Sequence, residues 1–423
     1  MLIEFSVSNF RSFRERQTLS LVATPRLRKR GNVFKPALSG EKFPDLLKAC
    51  VIYGPNASGK SSLLKALAVI GAILAREPSA TDKAIPVVPF RFDPKLANEP
   101  SLFEVHFICG GMRYQYEVAA TPERIVLERL LSFPKGRETL LFERVHSSTS
   151  GETYTYGEQL EGGDDVHETW RKVTAPRVLF LAQAVANSNE DLQQLREPHA
   201  WLSGAIYTVL GGMTALSQAA LRLARLDTIH GTRIANFLQD VDVPVSMIKV
   251  SEAAIAAESQ NPGLADSAPE PESLRAPPKF TTMLTHRTAL GEADLPYAAQ
   301  SDGTKNLIGF WLAWTTREPW EKNGRCVLAV DELDSSLHPK IVAALVAKHL
   351  DSQIHSQLIF TTHDTHLMDT KLLRRDQIWI AERDENGATQ LRSVHDFEGR
   401  EDEDIEKRYF EGRYRGLPLV KNA

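Results

Sequence analysis

Cysteine is almost missing from this 423-residue chain, which has only Cys50, Cys109 and Cys326. The three are far apart and match no metal-ligand spacing, so neither a zinc site nor a disulfide framework organises the fold. An odd, unpaired count fits a reducing compartment, and Cys50 and Cys326, each opening an apolar run, read as small buried hydrophobes. Long hydrophobic runs are missing too, since no stretch approaches the ~20 apolar residues of a membrane-spanning helix. The opening MLIEFSVSNF carries Glu4 early and has no basic stretch, unlike a secretory signal. The expectation is a cytoplasmic protein without a membrane partner. Excess charge of one sign is also lacking: 50 Lys and Arg face 54 Asp and Glu, a net charge of −4. Bulk composition therefore names no polyanion, although a local basic patch leaves nucleic acid open as a partner. No heptad repeat persists, which excludes a long coiled-coil arm, and no HNH, Ser-His-Asp or zinc constellation occurs.

What is present is ample core-forming material, with 42% of residues hydrophobic, enough for one large domain or two to three smaller ones. Ile3, Phe5 and Val7 alternate with Glu4 and Ser6, the mark of a half-buried strand. Residues 102–145 look antiparallel: Phe103, Val105 and Phe107 alternate, Gly110-Gly111 turns, and Tyr114, Tyr116 and Val118 return. From about Thr169 to Asp240 the pattern is helical, and Val245–Val250 is a strand again. Residues 256–278 are polar and Pro-rich and read as a flexible loop. The last third alternates strands at Val327–Val330, Gln357–Thr361 and Ile378–Ile380 with helix, which argues for a parallel sheet flanked by helices.

Three segments carry chemistry. The first, Gly54-Pro55-Asn56-Ala57-Ser58-Gly59-Lys60-Ser61 and the following Ser62, satisfies G-x-x-x-x-G-K-[ST] between the apolar strand Cys50–Tyr53 and a helix whose Leu63, Leu64, Leu67, Ile70 and Leu74 keep helical spacing. Glycines let the backbone curl so that its N–H groups and the helix N-terminus bind phosphate oxygens. Lys60 neutralises the outer phosphates, and Ser61 offers a hydroxyl to Mg²⁺. The second is the strand Val327–Val330 ending in Asp331-Glu332, with Asp331 placed to hold Mg²⁺ and Glu332 to take a proton from attacking water. His338, just before Pro339, reads as a packing or capping residue. The third is Gln357–Phe360 leading to Thr361-Thr362-His363-Asp364. His363 falls on the ligand edge of a parallel sheet, in reach of a γ-phosphate, whereas His366 is assigned to the next helix and left out of the site.

Together these segments resemble the ABC class of ATPases, with VLAVDELDSSLHP (Val327–Pro339), TTHD (Thr361–Asp364) and Ser301-Asp302-Gly303-Thr304 in the place of the signature loop. The resemblance implies ATP and Mg²⁺ as cofactors and a head-to-tail homodimer in which Ser301, Asp302 and Gly303 of one copy close in trans on the nucleotide of the other. It also implies a D-loop role for Asp334. Asn9-Phe10-Arg11-Ser12-Phe13 is similar to the start of RecF, SMC and related DNA-repair ATPases, which implies that Arg11 reaches the nucleotide. SDGTKNL, DELDSSLHP, IFTTHDTHLMD, RRDQIWIAE and KRYFEGRYRGLP together resemble the RloA-like AAA/ABC ATPases of bacterial restriction-accessory and abortive-infection systems, related also to the OLD family. That likeness implies an anti-phage ATPase controlling a separate effector such as a nuclease. The alternative is a RecF-like DNA-binding repair ATPase. No glutamine is assigned to the loop that follows the first long helix; Phe90-Arg91-Phe92 lies near that place.

The expected fold is α/β, a P-loop NTPase of ABC ATPase type, with a mixed sheet core, an antiparallel β subdomain and a helical insertion. The boundaries implied are 1–165 for the P-loop and antiparallel subdomain, 166–245 for the helical insertion, 246–300 for a β segment with the Pro-rich loop, and 301–423 for the C-terminal part of the ATPase domain.

Overall fold

The computed structural model describes residues 1–76, 83–252, 280–315, 327–351, 356–401 and 403–417. The chain divides into two compact units, one of Met1–Gly212, Arg317–Asp334 and His338–Ala423, the other of Met213–Thr316 and Ser335–Leu337.

The first unit holds two large sheets. One is antiparallel and seven-stranded, in the order Gly151–Tyr156, Thr139–Ser147, Ile125–Ser132, Met112–Ala120, Ser101–Cys109, Leu2–Ser8 and Gln17–Ser20. Phe103, Val105 and Phe107 point one face into the core, as their alternation predicts. Gly110 and Gly111, at φ 53° and 74°, make the two-residue hairpin turn between Cys109 and Met112; two consecutive positive φ values suit a primed turn that follows the twist of the strands.

The other sheet has six strands in the order Ile206–Val209, Val327–Val330, Gln357–Thr361, Ala49–Tyr53, Ile378–Arg383 and Thr389–Ser393. All neighbours are parallel except the last pair. A parallel sheet is covered on both faces, so its strands read as continuous apolar runs; Ala49–Tyr53, Val327–Val330 and Gln357–Thr361 are buried throughout. The helix Lys60–Leu74 buries Leu63, Leu64, Leu67, Ile70 and Leu74, each contributing about 1.5–3 kcal/mol of transfer free energy. Cys50 lies inside this core, and burial pushes its thiol pKa well up, with a smaller push from Asp376; Cys326 lies outside the described residues. Gln357 ties the two sheets together: the Leu2 N–H donates to its Oε1 at 2.7 Å, and its Nε2 donates to the Leu2 carbonyl at 2.8 Å.

Ile206–Val209 corrects the expectation of unbroken helix from Thr169 to Asp240. Its four residues extend the parallel sheet beside Val327–Val330. Between Gly204 and Gly211-Gly212, a β-favouring Ile-Tyr-Thr-Val is too short to compete with the Ala- and Leu-rich periodicity around it, and the pairing partner lies 121 residues on (Ile206 with Val327).

The second unit packs the helices Thr214–Leu226, Thr228–Asp240 and Asp302–Thr315 with a three-stranded antiparallel sheet of Val245–Glu252, Phe280–Thr288 and Gly291–Pro296. Gly309 allows a close helix crossing, because a Cβ there would stand 2.0 Å from the Met213 carbonyl oxygen. The Pro-rich stretch 256–278 lies outside the described residues.

Candidate nucleotide site

The parallel register sets the site. Val330 is level with Phe360, Phe360 with Val51, and Tyr53 with Ile380. The loops after Tyr53, Val330 and Thr361 therefore leave the sheet at one edge, the carboxyl edge where ligands bind in such folds.

At this edge the chain after Tyr53 curls tightly. Gly54, Ala57 and Gly59 have φ of 148°, 63° and 102°, the kind of curled backbone that can gather N–H groups around an anion. Two glycines are required by contact as well as by φ. A Cβ on Gly54 would meet the Ala381 carbonyl oxygen at 2.1 Å, and one on Gly59 would meet Thr389 Oγ1 at 2.0 Å. Lys60 opens the helix and is buried, its Nζ donating to the carbonyls of Gly54 at 2.7 Å and Pro55 at 3.0 Å. Burial pushes the Lys60 pKa below its ordinary value, against the opposing pull of Asp331, Glu332 and Asp334.

The acidic strand end and the Thr361–Asp364 loop are joined by one hydroxyl. Thr361 Oγ1 donates to Asp331 Oδ1 at 2.7 Å and accepts the Glu332 N–H at 2.8 Å. Glu332 has φ 52°, so the chain turns sharply after Asp331 and leaves the Glu332 side chain exposed. The His363 N–H donates to Asp334 Oδ2 at 3.2 Å, tying the turn after the acidic strand end to the histidine. Ser12, Asn56–Ser62, Asp331, Glu332 and His363 line a single cavity of about 490 Å³. Gly54, Pro55 and Asn56 also border a neighbouring cavity of about 950 Å³ with Tyr53, Tyr409 and Phe410. For Mg²⁺, the Ser61 hydroxyl and the Asp331 carboxylate are hard oxygen donors of the right kind. Among the described residues no three His, Cys, Asp or Glu side chains gather to cage a metal. That set fits an ion held by one carboxylate, one hydroxyl and the oxygens of a phosphate ligand.

His338 accepts the Lys340 N–H at 3.2 Å and so caps the helix that begins at Pro339. His366 sits in the short 3₁₀ turn Thr365–Met368 rather than on a longer helix; its ring bonds Asp364 at 2.8 Å, which raises its pKa.

Ser301, Asp302 and Gly303 belong to the second unit. Ser301 is exposed and its Oγ accepts the Thr304 N–H at 3.2 Å, capping the helix Asp302–Thr315. Gly303 packs so tightly that a Cβ would stand 2.6 Å from the Ser336 carbonyl oxygen, and Asn306 Nδ2 donates to the Ser335 carbonyl at 2.9 Å.

Arg11 is exposed, at φ 51°, with its guanidinium 5.7 Å from the Phe10 ring centroid. It does not line the 490 Å³ cavity; its neighbour Ser12 does. Ser12 and Thr389 were not singled out from the sequence. Thr389 Oγ1 bonds Ser12 Oγ at 2.7 Å and the Ser58 carbonyl at 2.9 Å, and the Thr389 N–H donates to the Ser12 carbonyl at 2.7 Å. These bonds brace the cradle with a turn near one end of the sequence and a strand near the other.

A protein-family profile described as "AAA domain, putative AbiEii toxin, Type IV TA system" matches residues 50–369. Among curated proteins none matches the chain. Among solved structures, the chain is similar to a SmcHead bound to the C-winged helix domain of ScpA, at 15% identity over 93% of this chain and 99% of that one, with a TM-score of 0.45. It is similar also to the SMC head domain from Thermotoga maritima, at 14% identity over 93% of this chain and 98% of that one, with a TM-score of 0.41. The profile spans more than half of the 423 residues and contains Gly54–Ser62, Asp331-Glu332 and His363, so the chain belongs to this family of AAA domains.

Proposed function

We propose that the protein is an ATPase that binds ATP with Mg²⁺ on Gly54–Ser62 and hydrolyses it. The observation that carries this reading is the convergence of Lys60, Ser61, Asp331, Glu332 and His363 on one cavity. Backbone N–H groups and Lys60 hold the phosphates, and Ser61 and Asp331 supply the protein ligands of Mg²⁺. Glu332, exposed in the cavity wall, accepts the proton of the attacking water, and His363 donates a hydrogen bond to the outer phosphate. Ser301, Asp302 and Gly303 act in trans in a head-to-tail dimer, so that ATP gates association. The exposed Ser301 is available for such a contact.

The ATP-gated dimer serves as a sensor or scaffold that controls a separate effector, such as a nuclease, in bacterial defence against phage. The family description, which names a toxin of a toxin–antitoxin system, supports a place in defence. No helix among the described residues is long and apolar enough to cross a membrane, which is compatible with a cytoplasmic site of action. The test is to measure phosphate release and molecular mass by light scattering, with and without ATP, for wild type and Glu332→Gln. The reading requires slow turnover and an ATP-stabilised dimer in the variant. Turnover at the wild-type rate would remove Glu332 as the base, and ATP-dependent cleavage of nucleic acid by the purified chain alone, altered in Glu332→Gln, would remove the separate effector.

A further inference from the structure

We propose that Phe92 is the platform on which the base of the bound nucleotide stacks, an inference that rests on the phosphate reading above and extends it to the nucleoside half of the ligand.

The two ends of the cradle are distinguishable. The lysine of a P-loop reaches the outer phosphates, and Lys60 Nζ lies against the Gly54 and Pro55 carbonyls. The outer-phosphate end is therefore the end at Gly54 and Pro55. The nucleoside must leave from the other end, where Ser12 joins Gly59 and Ser62 in the cavity wall and where Thr389 braces Ser12 and the Ser58 carbonyl.

Phe92 lines neither cavity but stands against the turn that leads into Thr389. Its ring carbons lie 3.5 Å from where a Cβ on Gly387 would be. Gly387 is two residues before Thr389, so the ring is on the order of 10 Å from Gly59 along this path. That is about the reach of a ribose and a phosphate. Phe92 is 76% exposed. One exposed apolar side chain needs no explanation by itself, but this one is held in place. Its ring meets the buried Phe90 edge-on, centroids 5.6 Å apart at 67°. The Phe90 N–H donates to Asn9 Oδ1 at 3.0 Å, and the buried Asn9 Nδ2 donates onward to the carbonyls of Leu96 and Glu99 at 3.0 and 2.9 Å. Asp93 pairs with Arg14 at 2.9 Å. The loop that carries Phe92 is thus fastened to the same Asn9–Phe13 turn that supplies Ser12 to the cavity. A rigid aromatic face beside the nucleoside end, open to solvent, is the arrangement that stacks a flat base at little cost in ordering. Every base has a π-face, so a stack of this kind favours nucleotides over inorganic phosphates without choosing among bases.

The test is titration calorimetry of Mg²⁺ with ATP, with GTP and with inorganic tripolyphosphate, on wild type, Phe92→Ala, Phe92→Trp, Phe410→Ala and Lys60→Ala. Phe92→Ala is expected to weaken ATP and GTP alike, by about five- to a hundredfold, and to leave tripolyphosphate unchanged; Phe92→Trp restores both nucleotides. Wild-type ATP affinity in Phe92→Ala overturns the proposal. So does an equal loss of tripolyphosphate, or a loss of ATP alone in Phe410→Ala, which would put the base in the 950 Å³ cavity at the Gly54 end. Lys60→Ala separates the two readings: it must weaken all three ligands, and if it weakens none, the phosphate site itself is wrong, whatever Phe92 does.

Discussion

The phosphate cradle and the signature loop are built from similar parts, with opposite results. Both place a glycine where a Cβ would collide, Gly59 against Thr389 Oγ1 and Gly303 against the Ser336 carbonyl oxygen. Both lead into a helix, Lys60–Leu74 in one case and Asp302–Thr315 in the other. The cradle, however, is closed within one compact unit, with Lys60 buried and the acidic and histidine loops on the same cavity. The signature loop caps its own helix and leaves Ser301 and Asp302 exposed. On the proposed reading the cradle grips its ligand alone, whereas the Ser301–Gly303 loop acts only on the nucleotide of a second copy. The difference teaches that, on this reading, binding and closure are separable, and mutations should separate them.

The largest effect should come from Glu332→Gln. Loss of a positioned proton acceptor lowers turnover by about 10²–10⁴-fold, measured as phosphate release under single-turnover conditions, while ATP affinity is kept. Next is Gly54→Ala. The clash with the Ala381 carbonyl at 2.1 Å and the φ of 148° leave no room for a methyl group. Nucleotide binding should be lost and the melting temperature lowered by several degrees, since strained positions cost about 1–3 kcal/mol each. Thr389→Val should be milder. It removes the bonds to Ser12 and Ser58 at a net cost of about 1 kcal/mol, seen as a several-fold weaker ATP affinity by calorimetry. Smallest on binding is Ser301→Arg, which should leave ATP affinity at the wild-type value and abolish ATP-dependent dimerisation in light scattering. If Ser301→Arg weakens ATP binding in the isolated protomer, the separation of grip from closure fails.

Much of the cradle was legible in the sequence because its constraints are local. Strand, glycine-rich turn and helix follow one another between Cys50 and Leu74, and a fixed motif spacing encodes the backbone path. The acidic strand end and the histidine were legible for the same reason, each ending an apolar run that a parallel sheet must bury. Thr389, Ser12 and Phe92 were not legible as site residues, because their positions depend on pairing across the whole chain. Ser12 and Thr389 are 377 residues apart, and neither carries a periodic or charge signal. Arg11 was selected by resemblance; the turn that gives it φ 51° also presents Ser12 to the cavity. The strand Ile206–Val209 was hidden by the Ala- and Leu-rich helices around it. Glu403 and Asp404 act as local ties that no sequence pattern announced: Glu403 pairs with Arg408 at 2.6 Å, and Asp404 caps the helix Ile405–Phe410.

The most direct test of the central claim is calorimetric binding of ATP with Mg²⁺ to Glu332→Gln and to the double variant Lys60→Ala, Glu332→Gln, with hydrolysis suppressed in both. Saturable binding in the first and its loss in the second is the predicted result. Equal affinity in the two would contradict it, because the triphosphate would then be held somewhere other than the turn that Lys60 closes.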